Sequence, residues 1–511
     1  MNQALTGNKK MTFLYIGLLT IAYTWFLIPT FDDGFYLNQF INIYVGRSNF
    51  NDFLGTYIHF QKPHTYLQAF IYKASGYSLF VLNLFHSMTI LLSVLLTYKL
   101  LHPLEPKLRV TGLTLMFYMI VSHFWVSTTR PELIILPLCL AVILSIKNFE
   151  SSGEQKYLKF GIAAACFSVP IHYNCTIPCI FMIFYLCKYA LQRKLTYATY
   201  FFGIFCSAIA LSVLVYPGIE SFIQSFKAYD GIGDRWSMFS GEVGRVKWFL
   251  SYRYYVPLFI ILLCALPLRI EKIKLVLSEI PRFIFTYTLI TFFCFVFLPT
   301  SKWPVYCIYL LIPFVYAFVV VLRHSETLLI KLPIVSAIIL GVSFFSMRKE
   351  HLLFESLYIV LCLMPIFLVF IQKLDVDKKI LYPLMSMSAF LTLNLYSDWD
   401  VFRKAEKIML DTNKIVSHLS LSFIDYRRMN SNPNVPLHDA MMKIYKKQQT
   451  VTVIDSSAAI RSIQKSDTWC KVSDSQIQSF SPRFSTKSPL NDLWVANFTL
   501  CQNLSKRSLV K

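Results

Sequence analysis

Apolar residues run along this chain in long blocks rather than in the alternating or one-sided patterns of surface strands and helices. The blocks lie at residues 11–30, 78–100, 110–127, 132–146, 160–171, 175–190, 198–216, 249–267, 283–299, 304–322, 332–346, 352–371 and 380–396. A helix of about 20 residues crosses the ~30 Å hydrocarbon core of a bilayer. The pattern predicts an all-α polytopic membrane protein with about thirteen transmembrane helices. After residue 397 the blocks stop, polar residues dominate, and residues 450–454 form the best strand candidate. The expected organisation is a polytopic transmembrane domain over 1–397 and a small C-terminal domain over 398–511.

The connections between blocks alternate in charge. Residues 99–109, 147–159, 188–194, 269–282, 323–331 and 373–379 are short and basic, as cytoplasmic loops are. The opposite face then receives 31–77, 127–132, 172–174, 217–247, 300–304 and the C-terminal domain. Arg348 and Lys349 are the one basic turn that runs against this alternation. Lys9 and Lys10 favour a cytoplasmic N-terminus, and Phe31, Asp32 and Asp33 follow the first block where a cleavable signal would carry small residues. The first block is therefore expected to be a retained span.

Composition agrees: 55% of residues are hydrophobic and 15% are charged, too few charges for a soluble enzyme or a disordered chain. The 49 Lys and Arg against 28 Asp and Glu give a net charge of +21. Cytoplasmic loops account for that excess without nucleic acid, because no separate basic domain with interleaved aromatics is present. Of the 12 cysteines, all but Cys470 and Cys501 lie in or beside apolar blocks. Those two fall in the C-terminal domain, on the oxidising face, and are expected to form a disulfide.

Ionisable groups at a membrane are expensive, so those near the outer turns are the candidates for chemistry. Asp32 and Asp33 follow the first block directly, with Gly34 and Tyr36 behind them. Adjacent carboxylates resist double ionisation, which lifts one toward the range of a general base. Arg130-Pro131-Glu132 opens another helix. Proline and glutamate suit a first helical turn, whereas Arg130 stands at the positive end of the helix dipole. An outward guanidinium there suits a phosphate. Lys302 and Trp303 fill a minimal outer turn, where lysine suits an anionic leaving group and tryptophan stacks on a sugar or anchors at the interface. Pro170 to Asn174 joins two short apolar runs, which puts His172 and Asn174 at a polar break in the membrane.

These motifs resemble the integral-membrane glycosyltransferases of the GT-C fold class, and most of all the branch that holds the mycobacterial arabinofuranosyltransferases. Asp32-Asp33-Gly34-Phe35 matches that branch's aspartate pair, Arg130-Pro131-Glu132 its Arg-Pro-Glu turn, and Pro299-Thr300-Ser301-Lys302-Trp303 its Pro-Thr-Lys-Trp turn with one inserted serine. The family's histidines after that last turn are replaced by Pro304, Val305 and Tyr306, and its large C-terminal carbohydrate-binding region by a much smaller tail.

The resemblance implies transfer of a sugar from a polyprenyl-phosphate donor to a glycan, lipid or protein acceptor of the cell envelope, at the outer face of a bacterial inner membrane. Asp32 or Asp33 then acts as base, Arg130 and Lys302 hold the donor phosphate, and Tyr36, Glu132, His172, Asn174 and Trp303 line the substrate site. No cofactor is required, although a divalent metal is compatible with an aspartate pair. A lipid-linked glycan polymerase or ligase, or a transporter of lipid-linked sugars, stays open as the alternative.

Overall fold

The computed structural model describes residues 17, 24, 36–37, 40, 43, 62–76, 78–105, 108–109, 112–113, 116–117, 120, 130–216, 218–223, 270–297, 308–324, 404–405, 407, 414–416, 437–465, 468–477 and 493–501 (a few of them at backbone level alone). The elements with defined bounds begin with α1 (Lys62–Ala74) and α2 (Leu79–Leu100). Then follow α3 (Glu132–Ser152), α4 (Gln155–Ser168), α5 (Thr176–Leu191) and α6 (Tyr197–Val215). After a gap come α7 (Ile270–Glu279), α8 (Arg282–Phe297) and α9 (Leu311–His324).

Local chemistry explains the helix ends. The hydroxyl of Ser78 accepts from the Val81 N–H to start α2, and Thr196 does the same through Thr199 for α6. Gly153, at φ 72°, closes α3 in the left-handed conformation that other residues resist. α3 then lies at the centre, buried along most of its length against α2, α4, α5 and α8. Helix α4 approaches α3 closely at Gly161, where an added Cβ would stand 2.9 Å from the Cβ of Ser145. α6 sits at the edge, and its Tyr197, Phe201, Ile204 and Phe205 are exposed, as lipid-facing residues are.

Three of the described helices, α2, α3 and α6, are long and apolar enough to cross a membrane, and four spans result if the bent pair α7–α8 counts as one. The expected spans at 249–267, 332–346, 352–371 and 380–396 lie outside the described residues, as does all of 11–30 except Gly17 and Thr24. Two elements depart from the sequence reading. Residues 62–74 were assigned to an outer loop and form α1. Residues 270–279, in a basic loop, form α7, whose axis is bent 88° from that of α8. Neither has an apolar block, because polar and charged residues recur through both: α1 contains His64, Thr65, Gln68 and Lys73, and α7 contains Glu271, Lys272, Lys274 and Glu279.

The helix ends sort by chemistry. At one end Lys147 donates to the carbonyls of Lys99 and Leu100, Lys188 pairs with Glu150, and Arg323 pairs with Glu279. The other end carries Arg130, Glu132, His172 and Asn174. The C-terminal residues are not all-α. Helix α10 (Leu437–Gln448) precedes β2 (Val451–Ser456), and α11 (Ser457–Gln464) follows it. With β1 (Lys414–Val416), β3 (Trp469–Gln476) and β4 (Leu493–Leu500) they build a four-stranded sheet in the order β1-β2-β4-β3. β1 runs parallel to β2, and the other pairs are antiparallel. A disulfide joins Cys470 to Cys501, their Cα atoms 4.9 Å apart. Ile454 and Leu493 of this sheet pack against Tyr36, Leu37, Phe40, Ala69 and Tyr72, so the small domain rests on α1 and on the segment that follows the aspartate pair.

Candidate functional site

Asp32, Asp33, Lys302 and Trp303 lie outside the described residues. Arg130, Glu132, His172 and Asn174 are all buried and come together where the start of α3 meets the turn between α4 and α5. Nη1 of Arg130 stands 3.9 Å from Oε1 of Glu132, and Nε2 of His172 stands 3.9 Å from the same oxygen. Both distances exceed hydrogen-bond length, so Glu132 sits in the field of the two groups. Its place in the first turn of α3 adds the positive end of the helix dipole.

His172 has a defined orientation. The backbone N–H of Asn174 donates to its Nδ1 at 3.3 Å, which leaves Nε2 to carry the proton toward Glu132. Burial first, then the guanidinium of Arg130 and the ring of His64, holds this imidazole well below its ordinary range, so it stays neutral. The side-chain N–H of Asn174 donates to the hydroxyl of Tyr309 at 3.4 Å, and the carbonyl of Tyr309 accepts from the hydroxyl of Tyr287 at 3.3 Å. Tyr309 precedes α9, so this bond joins the turn between α4 and α5 to the approach to α9.

The guanidinium of Arg130 was expected to face outward. It is buried instead, because the turn folds back on Glu132, its own carboxylate, and on the turn of His172. A guanidinium carries five N–H donors in a fixed fork, so one carboxylate neighbour is compatible with a second oxyanion.

Tyr36 reaches this region through a residue the sequence reading passed over. Its ring meets His64 edge-on with centroids 6.0 Å apart, and Phe40 meets the same imidazole at 6.4 Å. His64 Nε2 accepts from the amide of Gln68 at 2.7 Å, and the amide oxygen of Gln68 accepts from His86 Nε2 at 2.9 Å. His86 lies inside the apolar span α2, and an ionisable residue inside a span is a functional signal by itself. His64 and Gln68 carry the spacing of one helix face, legible only once α1 is known to be a helix. Among the described residues no group of three or more His, Cys, Asp or Glu would hold a metal ion.

The fold has known counterparts. Two crystal structures of ArnT from Cupriavidus metallidurans match the chain, one bound to undecaprenyl phosphate and one in the apo state. TM-scores are 0.58 and 0.53, with 13% sequence identity in both cases. Each match covers 96% of this chain and 98% of the other. The fold is ArnT-like. It agrees with the expected GT-C-like architecture at the level of fold, while the arabinofuranosyltransferase branch is not distinguished by it. No protein-family description matches the chain, and no curated protein matches it in sequence.

Proposed function

We propose that the protein is a membrane glycosyltransferase that moves a sugar from a polyprenyl-phosphate donor to an acceptor hydroxyl at the outer face. The observation that carries this reading is the buried Arg130–Glu132–His172 group at one end of an ArnT-like helical fold. ArnT crystallised with undecaprenyl phosphate supplies the chemical class of the donor lipid. We read the end of the bundle opposite Lys99, Lys147 and Lys188 as the extracytoplasmic side, and the disulfide of the C-terminal domain supports the same side for that domain.

Charge bookkeeping shapes the mechanism. With His172 neutral, the carboxylate of Glu132 offsets the guanidinium of Arg130, and a second cation strengthens the hold on an incoming phosphate. Lys302 fills that role. The carboxylate of Asp32 or Asp33 takes the proton of the acceptor hydroxyl as its oxygen attacks the anomeric carbon. The bond from that carbon to the phosphate oxygen breaks through an oxocarbenium-like transition state. The leaving group departs as a phosphate anion, so Arg130 and Lys302 act by stabilising its charge. Glu132 and His172 orient Arg130, and Trp303, Tyr36 and Asn174 line the sugar site. No step requires a metal.

The test is transfer by the purified full-length protein in lipid vesicles. Polyprenyl-phosphate sugars of several kinds are supplied with envelope glycans and lipids, and products are read by mass spectrometry. Formation of a glycosylated acceptor with release of polyprenyl phosphate supports the reading. A second reading is a transporter of lipid-linked sugars, favoured by the polar line Asn83, His86 and Ser87 buried in α2. Movement of intact donor lipid across the bilayer without any transfer would select it.

A further inference from the structure

The segment that carries Asp32 and Asp33 is tied at two described points, one before the pair and one after it. Before it, the Thr24 hydroxyl bonds the hydroxyl of Ser87, and the Thr24 carbonyl accepts from the Asn83 amide at 3.4 Å. After it, Tyr36 and Phe40 close on His64, which is joined through Gln68 to His86. Asn83, His86 and Ser87 stand at i, i+3 and i+4, on one face of α2. One helix face therefore holds both flanks. Every residue of the two arms is buried, with Gln68 and Ser87 at 0% exposure and Thr24, His64 and His86 at 1%.

The bipolar amide of Gln68 gives the second arm a direction. It donates to His64 and accepts from His86, so each imidazole is confined to one tautomer, with the His64 proton on Nδ1 and the His86 proton on Nε2. Stability alone does not call for such a network, because hydrogen bonds between membrane helices add little to it and apolar side chains would pack as well. Its distinguishing property is geometry: bonds that join buried polar side chains across two helices in an apolar interior admit few alternative arrangements. Misplacing a reacting group by about 1 Å costs on the order of a hundredfold in rate.

We infer that Asn83, His86 and Ser87, with Gln68 and His64 as the second arm, form a polar brace that positions the segment bearing Asp32 and Asp33 for catalysis. The inference rests on the glycosyltransferase reading above. These are positioning residues: they touch the flanks of the segment and act through it on the acceptor hydroxyl, while Arg130 and Lys302 bind the donor.

The experiment uses the full-length protein in lipid vesicles with a polyprenyl-phosphate sugar and its acceptor. His86→Leu and Ser87→Ala should each lower kcat about tenfold, the worth of one lost buried hydrogen bond. Affinity for polyprenyl phosphate alone should stay within about twofold of the parent value, since the phosphate is held elsewhere. His86→Gln should restore most of the rate, because an amide N–H reaches the oxygen of Gln68 as the imidazole did. An unchanged kcat, a polyprenyl-phosphate affinity that falls together with kcat, or a His86→Gln variant no better than His86→Leu overturns the brace. A second measurement does not depend on activity. In the doubly substituted Thr24→Cys, Ser87→Cys protein, copper-phenanthroline oxidation should cross-link the two positions, read by mass spectrometry of the peptides. Absence of that cross-link overturns the brace whatever the enzyme does. Absence of transfer by the parent protein with the cross-link present overturns the functional reading and leaves the contact standing.

Discussion

Nε2 of His172 and Oε1 of Glu132 face each other across 3.9 Å, with His172 2% and Glu132 1% exposed. The pairing joins the first turn of α3 to the turn between α4 and α5, positions forty residues apart in the chain. Because the Asn174 N–H occupies Nδ1, the neutral imidazole turns its protonated Nε2 toward the carboxylate from beyond hydrogen-bond length, and Arg130 is the positive charge of the group.

Removing Glu132 should therefore damage the fold as well as the chemistry. Glu132→Ala removes the carboxylate that stands 3.9 Å from the buried guanidinium of Arg130, and breaking a buried pair costs about 3 kcal/mol. Thermal unfolding in detergent should show a lowered Tm for Glu132→Ala, and the double change Arg130→Leu, Glu132→Leu should recover much of it. If the double variant is as unstable as the single one, the pair does not hold this turn.

The neutral state of His172 has a pH signature. Its folded pKa is depressed, so the unfolded chain, with an ordinary value of about 6.5, binds the proton more readily. Stability from this site is present above about pH 6.5 and is lost as pH falls from there toward the folded value. His172→Gln should flatten the fall of Tm between about pH 6.5 and pH 5. Equal acid sensitivity in parent and variant would assign the effect to other groups.

The donor clamp predicts a change in binding. Arg130→Ala and Lys302→Ala should each weaken donor affinity by about 1.5–3 kcal/mol, the range for a hydrogen bond to a charged group. Titration with polyprenyl phosphate alone isolates this contact from the sugar. Parent-like affinity in both variants would remove the phosphate role.

Asp32→Asn and Asp33→Asn test the base. At least one should abolish transfer, while the expressed protein inserts and still binds polyprenyl phosphate. Normal turnover in the double Asn variant would require another base.

The disulfide of the C-terminal domain spans a sequence separation of 31 residues. Loop closure of that size contributes about 3–4 kcal/mol. Reduction should lower the unfolding temperature of the sheet region, followed by the fluorescence of Trp469 and Trp494 in the full-length protein. Alkylation of Cys470 and Cys501 before any reduction would show that the bond is absent in the isolated protein.

The linear pattern of the chain determined a good deal. Apolar block length is enough to locate α2, α3, α5, α6, α8 and α9, because a span must satisfy its backbone within one helix and cover it with apolar side chains. The turns that carry Arg130, Glu132, His172 and Asn174 were legible for the same reason, as polar residues interrupt such blocks only at their ends. Tertiary structure decided the rest. Only packing turns Arg130 inward onto Glu132 and brings His172 to the same oxygen, since side-chain direction at a turn depends on what folds over it. The partnership of His64, Gln68 and His86 spans two helices, and no short-range pattern reports which faces of two helices meet. The sheet of the C-terminal domain likewise depends on long-range pairing: β2 finds β4 across more than thirty residues of chain, and its register is set by contacts that local sequence does not encode.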